Sequence, residues 1–247
     1  MAGACRDRRR RAGSAPAAVA FLAAWVGAAP AGEGPGGLRV HCQGEGEPVF
    51  LVGGGPAFTT WHLAPVQEAL ADGYRVCRWD MRGVGDNADA PLPPERGVLE
   101  TWLQDMARVL PREPVVLWGH SWGALQGLAF AARHPGRVAG LVLSNPVDPG
   151  LASLEGIEGR RYQHDLPGAF PDLGAMGTPR ERLLALRRKI ASYFPDGALG
   201  WAYAQGFDRG DADGDLNVRV WAEYRADPLD PGQVRDLAPR VAGVLYC

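Results

Sequence analysis

Residues 118–127 read WGHSWGALQG, and the five at the centre, Gly119-His120-Ser121-Trp122-Gly123, fit the pattern G-x-S-x-G. That pattern is a sharp strand-to-helix turn, in which two glycines let the backbone double back and one serine hydroxyl is lifted into the open. The flanks supply both halves of the turn. Val115, Val116, Leu117 and Trp118 form a short apolar run before it, and Leu125, Leu128, Ala129 and Ala132 recur at helical spacing after it. The rival explanation is a chance match in a chain with 34 glycines.

Working outward, short apolar runs alternate with helical patterns, which implies a mostly parallel sheet covered by helices on both faces. Residues 38–42 and 48–52 read as strands joined by the turn-forming Gly44-Glu45-Gly46, followed by strands over 75–80, 115–118 and 138–144. Amphipathic helical patterns cover 61–71 and 99–110, and His134-Pro135-Gly136 ends the helix after Ser121. From about Pro149 the rhythm changes to helices and loops without a convincing strand, as an inserted helical lid would produce. Within it, Thr178-Pro179-Arg180-Glu181 is a capping box with proline at the first helical position, and it predicts a helix over 179–194. Residues 241–246 read again as a strand. The organisation expected is a leader over 1–31, a core over 32–148 holding the elbow, a lid over 149–235 and an incomplete return to the core over 236–247.

The leader differs in kind from the rest. Arg6 and Arg8 to Arg11 precede an uncharged, Ala-rich stretch, and Ala29-Pro30-Ala31 offers a small-residue cleavage site, the layout of a secretory signal. Export, to periplasm or medium, is the expectation, with a mature start near Gly32; the rivals are an uncleaved anchor and an early start codon, and without a signal peptide the chain would be cytoplasmic. The segment is too rich in Ala, Gly and Pro for a stable membrane span. Net charge is -2, with no basic stripe, so nucleic acid is not an expected partner. Removing the leader would take the charge to about -6 by ordinary counting at neutral pH. Of Cys5, Cys42, Cys77 and Cys247, none has metal-ligand spacing and no pairing can be argued, while Cys77 reads as a small buried hydrophobe. No metal and no cofactor is expected, and oligomeric state leaves no trace in the sequence.

Acyl transfer by serine needs a nucleophile, a base, an acid to orient the base, and donors for the oxyanion. Ser121 is the candidate nucleophile. The loop VGGGPAF, residues 52–58, follows a strand, and an N–H from Gly54 or Gly55 together with that of Trp122 would make a two-point oxyanion hole. An ordinary tight turn is the alternative for that loop.

Three ordered motifs now carry a resemblance: Gly53-Gly54-Gly55-Pro56-Ala57, then Asp80-Met81-Arg82-Gly83-Val84-Gly85-Asp86-Asn87, then Gly119 to Gly123 with Trp122 in place. Over residues 38–146 the chain resembles the α/β-hydrolases, most of all the proline iminopeptidase group. Departures from that group are Gly53 where its loop histidine stands, Ala57 for the last loop glycine and Asn87 for a serine. The resemblance implies an α/β-hydrolase fold with a helical lid and a hydrolase acting on a small-molecule or short-peptide substrate. It also implies that the turn bearing Asp80, Arg82 and Asp86 is mainly structural, and that His120 points away from Ser121. Trp221 and Glu223 are lid residues of the type that group uses to hold a substrate amine, but their spacing does not match and neither is carried over.

Asp208, Asp211, Asp213 and Asp215 crowd one loop without EF-hand spacing and read as a solvated acidic loop. The resemblance also implies that an acid and then a histidine follow the strand after the lid, and Cys247 ends the sequence before either. Asp148 is a possible alternative acid. His164 is a remote alternative base, His134 caps a helix end, and His41 and His62 have no evident partner. The expectation is therefore a serine hydrolase of small esters or N-terminal aminoacyl bonds, inactive as this truncated chain. The alternatives are a catalytically silent relative that binds small ligands, and an acyltransferase or lyase on the same fold.

Overall fold

The computed structural model describes residues 32–33, 36–151 and 178–245, so the leader, His164 and Cys247 lie outside the described residues. Seven strands form one sheet: β1 (Gly32–Glu33), β2 (Arg39–Gln43), β3 (Pro48–Val52), β4 (Arg75–Arg78), β5 (Val115–His120), β6 (Val138–Ser144) and β7 (Val241–Leu245). Their spatial order is β1-β2-β4-β3-β5-β6-β7, with β2 antiparallel to both its neighbours and the other pairs parallel. The helices are α1 (Ala64–Leu70), α2 (Val98–Val109), α3 (Trp122–Arg133), α4 (Pro179–Ala191), α5 (Gly197–Ala204), α6 (Gly214–Ala226) and α7 (Pro231–Leu237).

Alternation along the strands divides the core between two faces. Phe50, Val52, Cys77 and Leu117 join Trp102, Met106, Leu125 and Phe130 from α2 and α3, while Val49, Leu51 and Val76 pack against Leu63, Val66 and Leu70. Both faces are covered, as a parallel sheet requires. From β3 the chain crosses to β4 on one side, then returns to β5 on the other, so the switch point lies between the carboxyl ends of β3 and β5. Open α/β sheets bind ligands at such a point. Val52 stands opposite Gly119 there, so the 53–60 loop and the Ser121 turn leave the sheet side by side.

The helical region is two things. Helices α4 and α5, with Phe207 just after them, build a small core of their own around Ala185, Leu186, Ile190, Ala191 and Ala204, into which Phe58 of the β3 loop is inserted. Helices α6 and α7 instead send Leu216, Val220, Tyr224 and Leu237 into the main core. The capping box is present, with the Thr178 side chain accepting from the Glu181 N–H and the Glu181 carboxylate accepting from the Thr178 N–H. Helix α2 has no side-chain cap of its own. Glu223 from α6 supplies one, accepting from the N–H groups of Val98 and Leu99 at 3.0 Å each.

Elements lie within a few residues of their expected positions. The 61–71 segment opens as a 3₁₀ turn at Trp61–Leu63 before α1, the 75–80 strand stops at Arg78, and α4 stops at Ala191. The cysteine reading is corrected more substantially: Cys42 and Cys77 stand opposite each other in β2 and β4 and form a disulfide, closing a loop of sequence separation 35. Replacing both by alanine should lower unfolding free energy by ~3–4 kcal/mol, the chain-entropy value for a loop of this length. Denaturant titrations check this: a reductant should shift the wild-type midpoint almost as far and leave the double variant unmoved. Equal midpoints for the oxidised wild type and the double variant would contradict it.

Candidate active site

Ser121 adopts φ 54° and ψ -118°, a conformation that L-residues avoid. Holding it there costs ~1–3 kcal/mol and needs firm surroundings. The Ser121 N–H donates to the Ser144 carbonyl at 2.9 Å, and its carbonyl accepts from the Ala124 N–H at 3.1 Å. Gly123 runs so close to β3 that a Cβ there would collide with the carbonyl oxygen of Val52, and one at Gly119 would collide with the backbone of Ala124. The spacing G-x-S-x-G is thus a steric requirement of the crossing. Among the described residues no group hydrogen-bonds to the Ser121 hydroxyl. Trp122 is the first residue of α3, so its N–H has no intrahelical acceptor.

The β3 loop reaches the same point. A Cβ on Gly54 would lie 3.1 Å from the Ser121 Cβ and 3.3 Å from the His120 carbonyl oxygen, tighter than ordinary contact, so glycine lets this loop lie against the serine without either having to shift. The N–H groups of Gly54 and Gly55 donate to no acceptor among the described residues. The loop's far end is held by Asp80, which is 6% exposed. Its Oδ1 accepts from the Thr60 N–H and hydroxyl at 2.7 and 2.8 Å, and its Oδ2 from the Asp86 N–H at 3.0 Å. Arg78 donates to Gln67 at 2.9 Å and faces the Thr60 hydroxyl at 3.4 Å. Arg82 forms a two-pronged pair with buried Asp105 of α2, at 2.7 and 2.8 Å. Each charged group of the 80–86 turn is thereby committed to structure, Asp86 through His41.

No described histidine reaches Ser121. His120 turns its Nδ1 toward the Ser144 hydroxyl at 3.5 Å and packs edge-on to His62, with ring centroids 6.1 Å apart. Burial lowers His120 from its ordinary value; burial, then His120 and Arg78, push His62 down from 6.5 to about 4 against a backbone hydrogen bond at Thr59. Both are therefore neutral near pH 7, and the Nδ1 of His62 is buried without a hydrogen-bond partner. His134 stacks on Phe130 at 4.7 Å. Asp148 follows β6, and its carboxylate accepts from the Gly150 N–H at 3.0 Å. Among the described residues no histidine bonds to it.

Trp221 packs on Trp122 at 4.7 Å, and Glu223 is occupied at the start of α2. The acidic loop is more than a solvated one. Asp211 accepts from the Thr59 hydroxyl and the Asp208 N–H at 2.7 Å each, and Asp213 caps α6 through the Leu216 N–H at 2.8 Å. Among the described residues no cluster of three or more His, Cys, Asp or Glu could hold a metal ion, and no helix is long and apolar enough to cross a membrane. Sequence reading missed the roles of Thr60, Asp211 and Asn217; the Asp213 cap was the one legible sign that this loop feeds a helix.

Comparison with known proteins agrees with this geometry. The profile of the alpha/beta hydrolase fold matches residues 47–175. A proline iminopeptidase of Clostridium botulinum is 29% identical over 136 residues, covering 53% of this chain and 45% of that protein. A 2-hydroxy-6-oxo-2,4-heptadienoate hydrolase of Pseudomonas putida is 36% identical over 130 residues, 50% of this chain and 46% of that protein. The chain thus spans about half the length of these curated relatives. Among solved structures, a thermophilic esterase from Thermogutta terrifontis superimposes with a TM-score of 0.55 at 21% identity, covering 85% of each chain.

The histidine pair makes stability depend on pH in one direction. The unfolded chain protonates His62 near 6.5 and the folded chain only near 4, so stability is lost as pH falls between these values, by up to about 3 kcal/mol for this group. Urea midpoints of wild type should fall from pH 6.5 to 5, before most carboxylates titrate, and His62→Gln should flatten that fall. An equal slope in the variant would show that His62 titrates normally in the fold.

Proposed function

The chain belongs to the alpha/beta hydrolase fold family, and from that premise we propose that it carries the nucleophile and oxyanion half of a serine hydrolase site for small ester or N-terminal aminoacyl bonds. The observation that carries the reading is the strained Ser121, at φ 54°, with Gly54 packed against it. Strain of this kind is kept where it presents a reactive group. In the proposed step the Ser121 Oγ bonds to the acyl carbon while its proton passes to a base. The carbonyl oxygen takes up the negative charge and accepts from the N–H of Trp122 and that of Gly54 or Gly55. Each such donor is worth ~3 kcal/mol in the transition state. Collapse of the adduct expels the alcohol or amine, and water later releases the acid.

The base is the member not found among the described residues. Among the described residues no histidine meets the Ser121 hydroxyl, and Asp148, the candidate orienting acid, holds none. Loss of a triad member commonly costs ~10⁴-fold or more in turnover, so a site with no base at Ser121 should be nearly silent. The name of one relative, a proline iminopeptidase, fits the aminoacyl arm of the substrate proposal.

Two measurements test this. Fluorophosphonate should label wild type slowly and Ser121→Ala not at all, with little turnover of chromogenic esters and aminoacyl anilides by either. Absence of labelling even at high probe concentration would favour the silent ligand-binding relative, and robust turnover lost in Ser121→Ala would show that a base is present after all.

We also propose export. The arginine-rich start, the apolar stretch and Ala29-Pro30-Ala31 are joined by the Cys42–Cys77 disulfide, a bond that persists in oxidising compartments. Protein recovered outside the cytoplasm should begin near Gly32 on N-terminal sequencing; recovery only from the cytoplasm with Met1 intact would refute this.

A further inference from the structure

The loop that lies against Ser121 is built jointly by the β3 end and the helical region. Phe58 and Ala212 form an antiparallel bridge. The Thr59 N–H donates to the Asp211 carbonyl at 2.9 Å, and the Asp213 N–H to the Ala57 carbonyl at 3.0 Å. Side chains repeat the connection on both flanks. The Thr59 hydroxyl donates to Asp211 Oδ1 at 2.7 Å, and Asn217 Nδ2 donates to the Pro56 carbonyl at 2.7 Å. Asn217 is 7% and Thr59 5% exposed, so these bonds are shielded from competing water. Asn217 is the only hydrogen-bond partner of the Pro56 carbonyl among the described residues. Phe58 is inserted between α4 and α5, with Lys189 Nζ 5.8 Å above its ring.

Residues 53–55 are three consecutive glycines, which have no side chains of their own to fix their path. Their geometry is therefore imposed by their neighbours: Val52 is held in the sheet on one side, and on the other Asp80 fixes Thr60 while the 211–217 segment fixes Pro56 through Thr59.

We propose that Asn217 and Asp211 are positioning residues of the oxyanion loop, so that the helical region is part of the donor site and its displacement dismantles that site. A lid joined to this loop cannot swing away as an independent cover. Lifting it would withdraw Phe58 and release Pro56, and the Gly54 and Gly55 N–H groups would lose their fixed direction. Substrate entry must then occur with the 211–217 segment in place. This rests on the reading of Ser121 and Gly54 given above, but its test separates the two.

Hydrogen exchange of the 53–60 amides is the first arm, read in the full chain. Asn217→Asp keeps the shape and replaces the donor by an acceptor, so exchange there should rise about tenfold or more, as expected when a loop moves to the low-stability end of the molecule, while the 118–125 turn keeps its protection. Unchanged exchange at 53–60 would overturn the proposal. Should Asn217→Asp fail to fold, Thr59→Val against Thr59→Ser decides in the same way: valine loses the hydroxyl bond and should loosen the loop, and serine should restore it. Phosphonylation of Ser121 is the second arm. Misplaced donors should lower the maximal labelling rate by about tenfold, a fraction of the loss seen when an oxyanion donor is removed outright, with little change in the probe concentration giving half that rate. A half-maximal concentration that rises at an unchanged maximal rate would mean that these residues only shape the pocket, and would overturn the positioning role. A wild-type chain that never labels refutes the Ser121 reading alone, and exchange at 53–60 then decides whether the helical region holds the loop.

Discussion

The tightest constraint in the molecule is the close approach of Gly123 to the carbonyl oxygens of Val52 and Gly53. It welds the first turn of α3 to the end of β3, and a methyl group on that glycine has nowhere to go. Everything at the sheet's carboxyl edge follows from it. The weld fixes where β5 must turn, and the turn drives Ser121 to positive φ. It also leaves the β3 loop little room beside Ser121, where Gly54 fits without crowding. The cost of the strained serine is spread over two strands and a helix that already bury Val52, Leu117, Leu125 and Phe130. A conformation that would relax on a surface loop is held here by the core.

A second constraint is electrostatic. Asp80 and Arg78 sit almost out of reach of water, at 6% and 8% exposure. Burial lowers the Arg78 guanidinium from its ordinary range, while Asp80, Asp86 and Glu68 raise it. Buried charges are tolerated when donors and acceptors surround them, and leaving one partner bare typically costs ~3–5 kcal/mol. Asp80 meets that condition by binding Thr60, at the start of the Trp61–Leu63 3₁₀ turn, and the N–H of Asp86, within the Gly85–Asn87 3₁₀ turn. The carboxylate thus ties two connections together as fixed walls beside the switch point. The neighbouring Arg82–Asp105 pair does the same for the link to α2.

How much of this was legible in the sequence depended on how local each cause is. The elbow was legible because its steric cause lies within five consecutive residues, and the α4 cap because Thr178 and Glu181 are three apart. The strand pattern was legible because burial on both faces leaves unbroken apolar runs. The Cys42–Cys77 disulfide was not, since it depends on β2 pairing with β4 across 35 residues instead of with β3, the strand that follows it. The bond from Asn217 to Pro56 spans 161 residues and has no sequence signature at either end. The Asp-rich loop misled for a related reason. Composition says that four carboxylates like water, but three of them, Asp208, Asp211 and Asp213, meet backbone N–H groups, and Asp211 also meets a hydroxyl, partners that only the folded chain presents.

Glu223 shows why family membership fixes architecture sooner than substrate. A glutamate on a helix of the lid is the residue type that could hold a substrate amine, although its spacing in this chain does not match that role. Here both carboxylate oxygens are already committed to the first N–H groups of α2, which has no side-chain cap of its own. Withdrawing them to bind an amine would bare those donors and weaken the helix that carries Asp105 and Trp102. A carboxylate spent on folding is not free for recognition. If this chain does act on aminoacyl bonds, the group that meets the amine is not Glu223, and the choice between ester and amide rests with residues whose hydrogen-bonding capacity the fold has left unused.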